Sequence, residues 1–138
     1  MLLTPYPVNK VTNIILLGLV TIAFVVGLTF YPQLPDQIAS HWNVAGEVNG
    51  YMTKFWGVFF LPILLAGLFV IYWIVPRIDP QKSNIQSFRK YYNYFWIVGS
   101  LFLLYIFGLQ IAWNLGTRFN FSTAIIPAMV VLWYFVGM

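Results

Sequence analysis

The stretch VTNIILLGLVTIAFVVGLTFY, residues 11–31, decides the fold class because it carries no acidic or basic side chain. Its length matches the roughly 20 helical residues that cross about 30 Å of hydrocarbon. Three further uncharged stretches follow, and together they predict four membrane spans at about residues 11–31, 55–75, 91–113 and 122–137. The sequence therefore predicts an all-α integral membrane protein with four transmembrane helices in a single membrane domain, residues 1–138.

The composition of the 138-residue chain supports this assignment. Hydrophobic residues make up 61% of the chain and charged residues only 7%, whereas a soluble domain is roughly one-quarter charged. In lipid the backbone needs partners within the chain, which leaves helices or a closed barrel, and these unbroken apolar runs lack the alternation of barrel strands. The absence of cysteine excludes a disulfide framework and a thiolate metal site.

The basic residues indicate which way the chain crosses the membrane. They are spread over separate loops, so the net charge of +4 does not indicate binding to nucleic acid. If the N-terminus is cytoplasmic, the cytoplasmic side, including an inner loop over residues 76–90, holds Lys10, Arg77, Lys82, Arg89 and Lys90. The other side, with an outer loop over residues 32–54, holds Lys54 and Arg118. The positive-inside rule therefore predicts a multi-pass protein of the cell membrane with a cytoplasmic N-terminus.

The predicted spans contain no acidic, basic or histidine side chain. Proton pumps and ion channels normally keep such groups at membrane depth, so neither is expected from this chain alone. Gln110 and Asn114 are better explained by hydrogen bonds between helices. No nucleophile, phosphate-binding loop or cofactor motif accompanies the few carboxylates. We therefore predict no enzyme activity, no catalytic residue and no cofactor.

Small residues recur at helical spacing in the chain. Gly108, Ala112 and Gly116 follow one another every four residues, and Ala23 and Gly27 repeat the spacing in the first span. Aligned small side chains let another helix approach closely, so these five positions are candidate helix-packing residues. Because glycine and alanine are common in membrane helices, chance spacing is an equal alternative.

The loop between the first two spans holds most of the varied polar chemistry, including the only histidine. Two signals predict that it is an ordered cap: a tight turn at Asn49-Gly50 and a second break at Gly46. In an extended strand, Ile38 and Trp42 would share one face and Ala39 would lie on the other. Trp42 would then rest on the helix ends.

Metal binding and charge pairing can be weighed for the polar loop residues. His41 could bind a metal, but only Asp36 and Glu47 accompany it, so structural hydrogen bonding is expected and no metal site is predicted. Glu47 and Lys54 are a candidate ion pair, which in exposed form contributes only about 0–1 kcal/mol. Trp42 and Tyr51 could anchor a binding partner or simply sit at the membrane interface.

The loop also contains a spaced series of short motifs: Leu34-Pro35, His41-Trp42-Asn43, Gly46-Glu47, Gly50-Tyr51 and Lys54. This series resembles the signature of SdpI-type membrane proteins, where it follows the first membrane helix in an N-terminal domain of unknown function. The resemblance implies immunity to a secreted peptide toxin, or sequestration of a cytoplasmic repressor at the membrane. It marks as candidate partner-binding residues Pro35, His41, Trp42, Asn43, Gly46, Glu47, Gly50, Tyr51 and Lys54.

Longer SdpI-type proteins continue into further membrane helices and a second motif, which this chain lacks. The chain ends at Val136-Gly137-Met138, so we expect either a C-terminally incomplete chain or a naturally short relative.

Two functions stay open at this stage. The resemblance implies a non-catalytic protein that binds a membrane-active peptide or a regulator. The small-residue faces favour the alternative, a small structural accessory subunit of a larger membrane complex. A transporter would need polar residues from other chains or further sequence. Expected partners are membrane lipid and another membrane protein or peptide, and not nucleic acid.

Overall fold

The computed structural model describes residues 9–80 and 87–137. In chain order the described elements are α1 (Lys10–Phe30), a short 3-10 turn (Tyr31–Gln33), β1 (Gln37–Trp42), β2 (Val48–Thr53), α2 (Lys54–Ile78), α3 (Arg89–Asn114) and α4 (Phe121–Val136). Each helix lies where hydropathy predicted one. Part of the predicted inner loop, including Lys82, lies outside the described residues.

Three of these helices are long and apolar enough to cross a membrane. They are α1, extended by the 3-10 turn, α2 with 25 residues and α3 with 26 residues. The 16 residues of α4 span about 24 Å at 1.5 Å per residue, which is less than the roughly 30 Å of hydrocarbon. Four transmembrane helices were predicted, and the described chain has three helices of spanning length and a shorter apolar fourth.

The chain between α1 and α2 forms a two-stranded antiparallel sheet, which the all-α prediction did not include. The hairpin turn lies at residues 44–46, where Gly46 has a φ of +82°, a conformation open to glycine. The carbonyl of Asn43 accepts the N–H of Gly46 (2.9 Å), and the Asn43 side-chain oxygen accepts the N–H of Glu47 (3.0 Å). One asparagine therefore closes the turn from both its backbone and its side chain.

The predicted turn at Asn49-Gly50 is wrong, because both residues lie inside β2. Gly50 is paired with His41 across the hairpin. A Cβ at Gly50 would lie 2.8 Å from the Cβ of His41. Gly50 allows the two strands to approach closely, and it does not reverse the direction of the chain.

The prediction that side chains alternate strictly between the two faces of β1 is also wrong. Ile38 and Ala39 are neighbours in sequence, and both are fully buried. The strand register is irregular between Ala39 and His41 and again between His41 and Trp42, which breaks the two-residue period. β1 contacts both α2 and α3, so each side of the strand at this point faces a helix.

The core lies where α1, α2 and α3 meet beneath the hairpin. Its buried members are Ala23, Leu34, Ile38, Val58, Leu65, Phe107 and Ile111. Gly27 is buried one turn after Ala23, and a Cβ there would lie 3.2 Å from Cγ1 of Val58. The small residues of α1 therefore lie where α2 and α3 approach it closely.

The small residues of the third span are placed differently. A Cβ at Gly108 would meet no atom within 4 Å, so this surface is open. Gly116 lies beyond the end of α3 with a φ of +109°. The predicted row of small residues on α3 therefore ends at Ala112, near the last turn of the helix.

Gly57 of α2 sets how closely the hairpin approaches the helices. A Cβ added there would lie 2.8 Å from both γ-carbons of Ile38. We expect Gly57→Ala to lower the free energy of unfolding by about 1–3 kcal/mol, because overpacking forces the hairpin to shift. The matched control is Gly67→Ala on the same helix, where an added Cβ meets no atom within 4 Å. Denaturation in detergent measures both variants, and equal stabilities would contradict the close contact.

Candidate functional site

Asn114, the last residue of α3, attaches the hairpin to the helices. Its side-chain oxygen accepts the N–H of Ala39 (2.8 Å), and its side-chain nitrogen donates to the carbonyl of Ala39 (3.0 Å). The amide thus pairs with β1 as a neighbouring strand would. Because Ala39 is fully buried, its backbone groups need these partners.

Two side chains near the start of α4 hold the tip of the hairpin. Asn120 donates from Nδ2 to the carbonyl of Ala45 (2.9 Å), and the Ser122 hydroxyl donates to the carbonyl of Asn43 (2.8 Å). Asn120 also caps α4 by accepting the N–H of Thr123 (2.9 Å). The hairpin tip and the first turn of α4 are therefore fixed to each other.

Gln110 joins α3 to α2 below the hairpin. It is buried, and its Nε2 donates to the carbonyl of Gly57 (2.9 Å). This is a hydrogen bond between helices, as the sequence predicted for Gln110. Asn114, for which the same was expected, instead bonds the hairpin and the Gln110 carbonyl of its own helix.

Trp42 rests on aromatic side chains from the helix ends. Its ring stacks on Phe121 with 3.8 Å between centroids and 6° between planes, and Trp113 meets it edge-on at 5.7 Å. The predicted seat of Trp42 on the helix ends is confirmed. Its buried Nε1 has no hydrogen-bond acceptor among the described residues, which is uncommon for a buried donor.

A groove of about 420 Å³ opens beside Trp42, with the hairpin as its roof and α2, α3 and α4 as its walls. Its polar side chains are Ser40, His41, Gln110 and Ser122, all at the end of the bundle that carries the hairpin. We refer to this end as the hairpin end. Farther along the helices, the walls are apolar and include Phe60, Leu103, Ile106 and Ile125. The volume is in the range of small-molecule and cofactor sites.

A second hollow lies along α3 farther from the hairpin. Leu103 also lines this hollow of about 450 Å³, which extends to Trp96 on α3 and Trp133 on α4. The space exists because α4 packs chiefly against α3, where the Tyr105 hydroxyl donates to the Ala124 carbonyl (2.8 Å). The two hollows thus lie next to each other along α3, with Leu103 between them, and both have mostly apolar walls.

The predicted partner-binding residues fall into separate groups. His41 and Trp42 line the groove. Asn43, Gly46 and Glu47 build the turn, and Gly50 permits close strand pairing. Pro35 is exposed next to buried Leu34, and Tyr51 is 62% exposed. The structure therefore brings two of the nine predicted residues to the groove, and the turn residues support its roof.

The polar residues of the hairpin make local contacts. His41 bonds the exposed Asn49 side chain through Nδ1. The Glu47 carboxylate accepts from Nδ2 of Asn43 (3.1 Å), while Nζ of Lys54 lies 4.7 Å from the centroid of the Tyr31 ring. The expected ion pair between Glu47 and Lys54 is therefore not formed. Within residues 9–80 and 87–137, no three metal-binding side chains lie together.

Several residues of the site were not predicted from the sequence. Gly57, Phe121 and Ser122 line the groove, and Asn120 holds the hairpin tip. The sequence does carry one signal, since Asn120 precedes an apolar run and asparagine is a preferred helix N-cap. Nothing local marks Gly57 as the residue beneath Ile38.

The fold and the site define a helical membrane protein with a capped groove, and comparison with known proteins agrees with the membrane assignment. A family model described as a domain of unknown function (DUF1648) matches residues 18–66. The match runs from the middle of α1 through the hairpin to the middle of α2, and so covers the roof of the groove but not α3 or α4.

One relative is the uncharacterized membrane protein YbgB of Bacillus subtilis (strain 168). It is 37% identical over 52 residues, which are 38% of this chain and 57% of the relative. No solved structure matches the chain. The apolar helices and this similarity together indicate a multi-pass membrane protein. Neither match carries the name of the SdpI-type family, and that resemblance stays a prediction.

Asn114 provides a direct test of how the hairpin is held. We expect Asn114→Ala to lower the free energy of unfolding by about 1–3 kcal/mol, since both backbone groups of Ala39 lose their partner. Hydrogen exchange at the N–H of Ala39 should accelerate in the same variant. The control is Asn49→Ala, because the exposed Asn49 side chain bonds only the exposed His41 in the described structure. Unchanged protection of Ala39 in Asn114→Ala would disprove the attachment.

Proposed function

We propose that this chain is an SdpI-like, non-catalytic membrane protein that binds a membrane-active peptide in the groove beneath the hairpin. The change of polarity along the groove is the observation that carries the proposal. Gln110 and Ser122 lie at the hairpin end, and Leu103 and Ile106 lie farther along α3. A membrane-active peptide is amphipathic and carries separate polar and apolar surfaces. The groove offers walls of both kinds.

The combined length of the two neighbouring hollows favours an elongated occupant. From Gln110 to Trp96 the two hollows follow α3 for about 20 Å at 1.5 Å per residue. An apolar helix face lying in a hydrophobic groove is a recurrent mode of peptide recognition. A compact polar substrate would instead meet apolar walls over most of this distance.

Trp42 supplies an anchor at the polar end. Its ring is fixed against Phe121 and Trp113, so little side-chain freedom is lost when a partner binds. Rigid aromatic residues in such positions commonly dominate binding energy.

We place the hairpin on the outer face of the cell membrane and the N-terminus in the cytoplasm. Arg77, Arg89 and Lys90 lie at the end opposite the hairpin, as does Lys10 at the start of α1. The positive-inside rule assigns that end to the cytoplasm. In this orientation the polar end of the groove faces secreted peptides, and the opposite end faces any cytoplasmic regulator.

Two neighbouring isoleucines of α4 distinguish the groove from the rest of the surface. Ile125 lines the groove, whereas Ile126 is 58% exposed outside it. We expect Ile125→Trp to fill the groove and Ile126→Trp to leave it open. A strain that lacks the protein would be complemented with each variant and challenged with the peptide fraction of its own spent medium. Protection should fall roughly tenfold with Ile125→Trp, which corresponds to about 1.4 kcal/mol of lost affinity.

Wild-type protein and Ile126→Trp should restore survival equally in this assay. Membrane levels of all variants are measured by immunoblot, so that loss of protein is not mistaken for loss of binding. If the strain without the protein survives as well as the complemented strain, the immunity function is disproved.

The open surface at Gly108 favours a second candidate function, a structural accessory subunit. A helix of another membrane protein could approach α3 closely there, because a Cβ at Gly108 meets no atom within 4 Å. We expect Gly108→Leu to reduce co-purification of stoichiometric membrane partners in mild detergent. Gly18→Leu on α1 is the control, since its Cβ position is equally open. Equal recovery of partners with both variants would exclude Gly108 as the contact.

A further inference from the structure

A cleft lined by two arginines lies at the end of the bundle opposite the hairpin. Arg77 comes from the end of α2 and Arg89 from the start of α3, and both line the cleft. Tyr72, Trp73 and Tyr92 complete most of the lining. This combination of cations and amphipathic rings is typical of headgroup depth in a membrane protein.

The aromatic walls of this cleft are fixed by contacts of their own. The guanidinium of Arg77 lies 3.5 Å from the centroid of the Trp73 ring and donates to the Trp73 carbonyl. Tyr72 stacks with Tyr92 at 5.6 Å between centroids, and its hydroxyl donates to Asn93 (3.2 Å). The Tyr92 hydroxyl donates to the Tyr72 carbonyl (3.0 Å). The arginine of α2 is therefore held in place before any ligand arrives.

Charge is unequal at the two ends of the described chain. Near the cleft, the described residues include three cations, Arg77, Arg89 and Lys90, and one carboxylate, Asp79. At the hairpin end, Lys54 and Arg118 are balanced by Asp36 and Glu47. An anionic ligand at the membrane surface is therefore attracted to the cleft and not to the hairpin.

We propose that Arg77 and Arg89 bind the phosphate of an anionic lipid headgroup. Guanidinium groups bind phosphate through paired N–H donors, and two of them line this cleft. The enclosed part of the cleft is about 20 Å³, which suits no more than about one water molecule. The phosphate therefore lies across the mouth, with the acyl chains alongside the helices. This site is independent of the peptide groove.

The proposal is tested on purified full-length protein in nanodiscs of phosphatidylcholine with added phosphatidylglycerol. Native mass spectrometry counts the phosphatidylglycerol retained by each variant. We expect Arg77→Gln with Arg89→Gln to bind it roughly 30-fold more weakly, as two lost surface cations imply. The matched control, Lys54→Gln with Arg118→Gln, removes the same charge at the hairpin end. Equal loss in both double variants would overturn the proposal.

Two measurements on the wild-type protein keep the proposal open to refutation if the arginine variants do not fold. Phosphatidylglycerol should be enriched over its bulk fraction among the retained lipids, and retention at the bulk ratio would overturn the site. Excess inorganic phosphate should fail to displace the lipid. Displacement, together with phosphate binding in lipid-free detergent, would assign the arginines to a soluble anion and overturn the lipid assignment.

Discussion

The paired hydrogen bonds between the Asn114 side chain and the backbone of Ala39 are the interaction on which the rest of the site depends. A buried strand edge at the end of a helix bundle has an N–H and a carbonyl that need partners. A side-chain amide supplies one acceptor and one donor in the spacing that a neighbouring strand would provide. With β1 held there, Ile38 enters the core above Gly57 and Trp42 reaches Phe121.

The groove is a consequence of uneven helix packing. α1, α2 and α3 form a close bundle in which Ala23 and Gly27 permit near contact. The last helix, α4, packs chiefly against α3. The hairpin covers one end of the space left between α2 and α4. Its polarity follows from this geometry, because the hairpin and the helix ends contribute polar groups and the middle of each helix contributes apolar ones.

Features set by local composition could be predicted from the sequence. The helix positions follow from uncharged runs of spanning length, and the seat of Trp42 follows from its place in a loop between two spans. The hairpin turn was misplaced because Asn49-Gly50 is a strong local signal for a turn. The actual turn depends on the side chain of Asn43 and on Gly46, and β2 uses Gly50 to accommodate His41.

Contacts that join distant parts of the chain could not be predicted in the same way. The burial of Ala39 depends on Asn114, and the position of Gly57 beneath Ile38 depends on the whole bundle. The charges of Glu47 and Lys54 suggested an ion pair, yet Asn43 and Tyr31 are the nearer partners once the hairpin is formed. An ion pair expected from two opposite charges in a sequence does not take account of other partners that the fold brings nearer.

The attachment of the hairpin also bears on the order in which the protein forms. Ala39 and Asn114 are 75 residues apart, as are Ala45 and Asn120. At roughly 5–20 residues per second, a ribosome needs about 4–15 s to synthesise the partners after the hairpin has emerged. During that interval the edge of β1 is hydrated and open to pairing with other chains. The segment that matches the domain of unknown function, residues 18–66, gains its contact with Asn114 only after α3 has been synthesised.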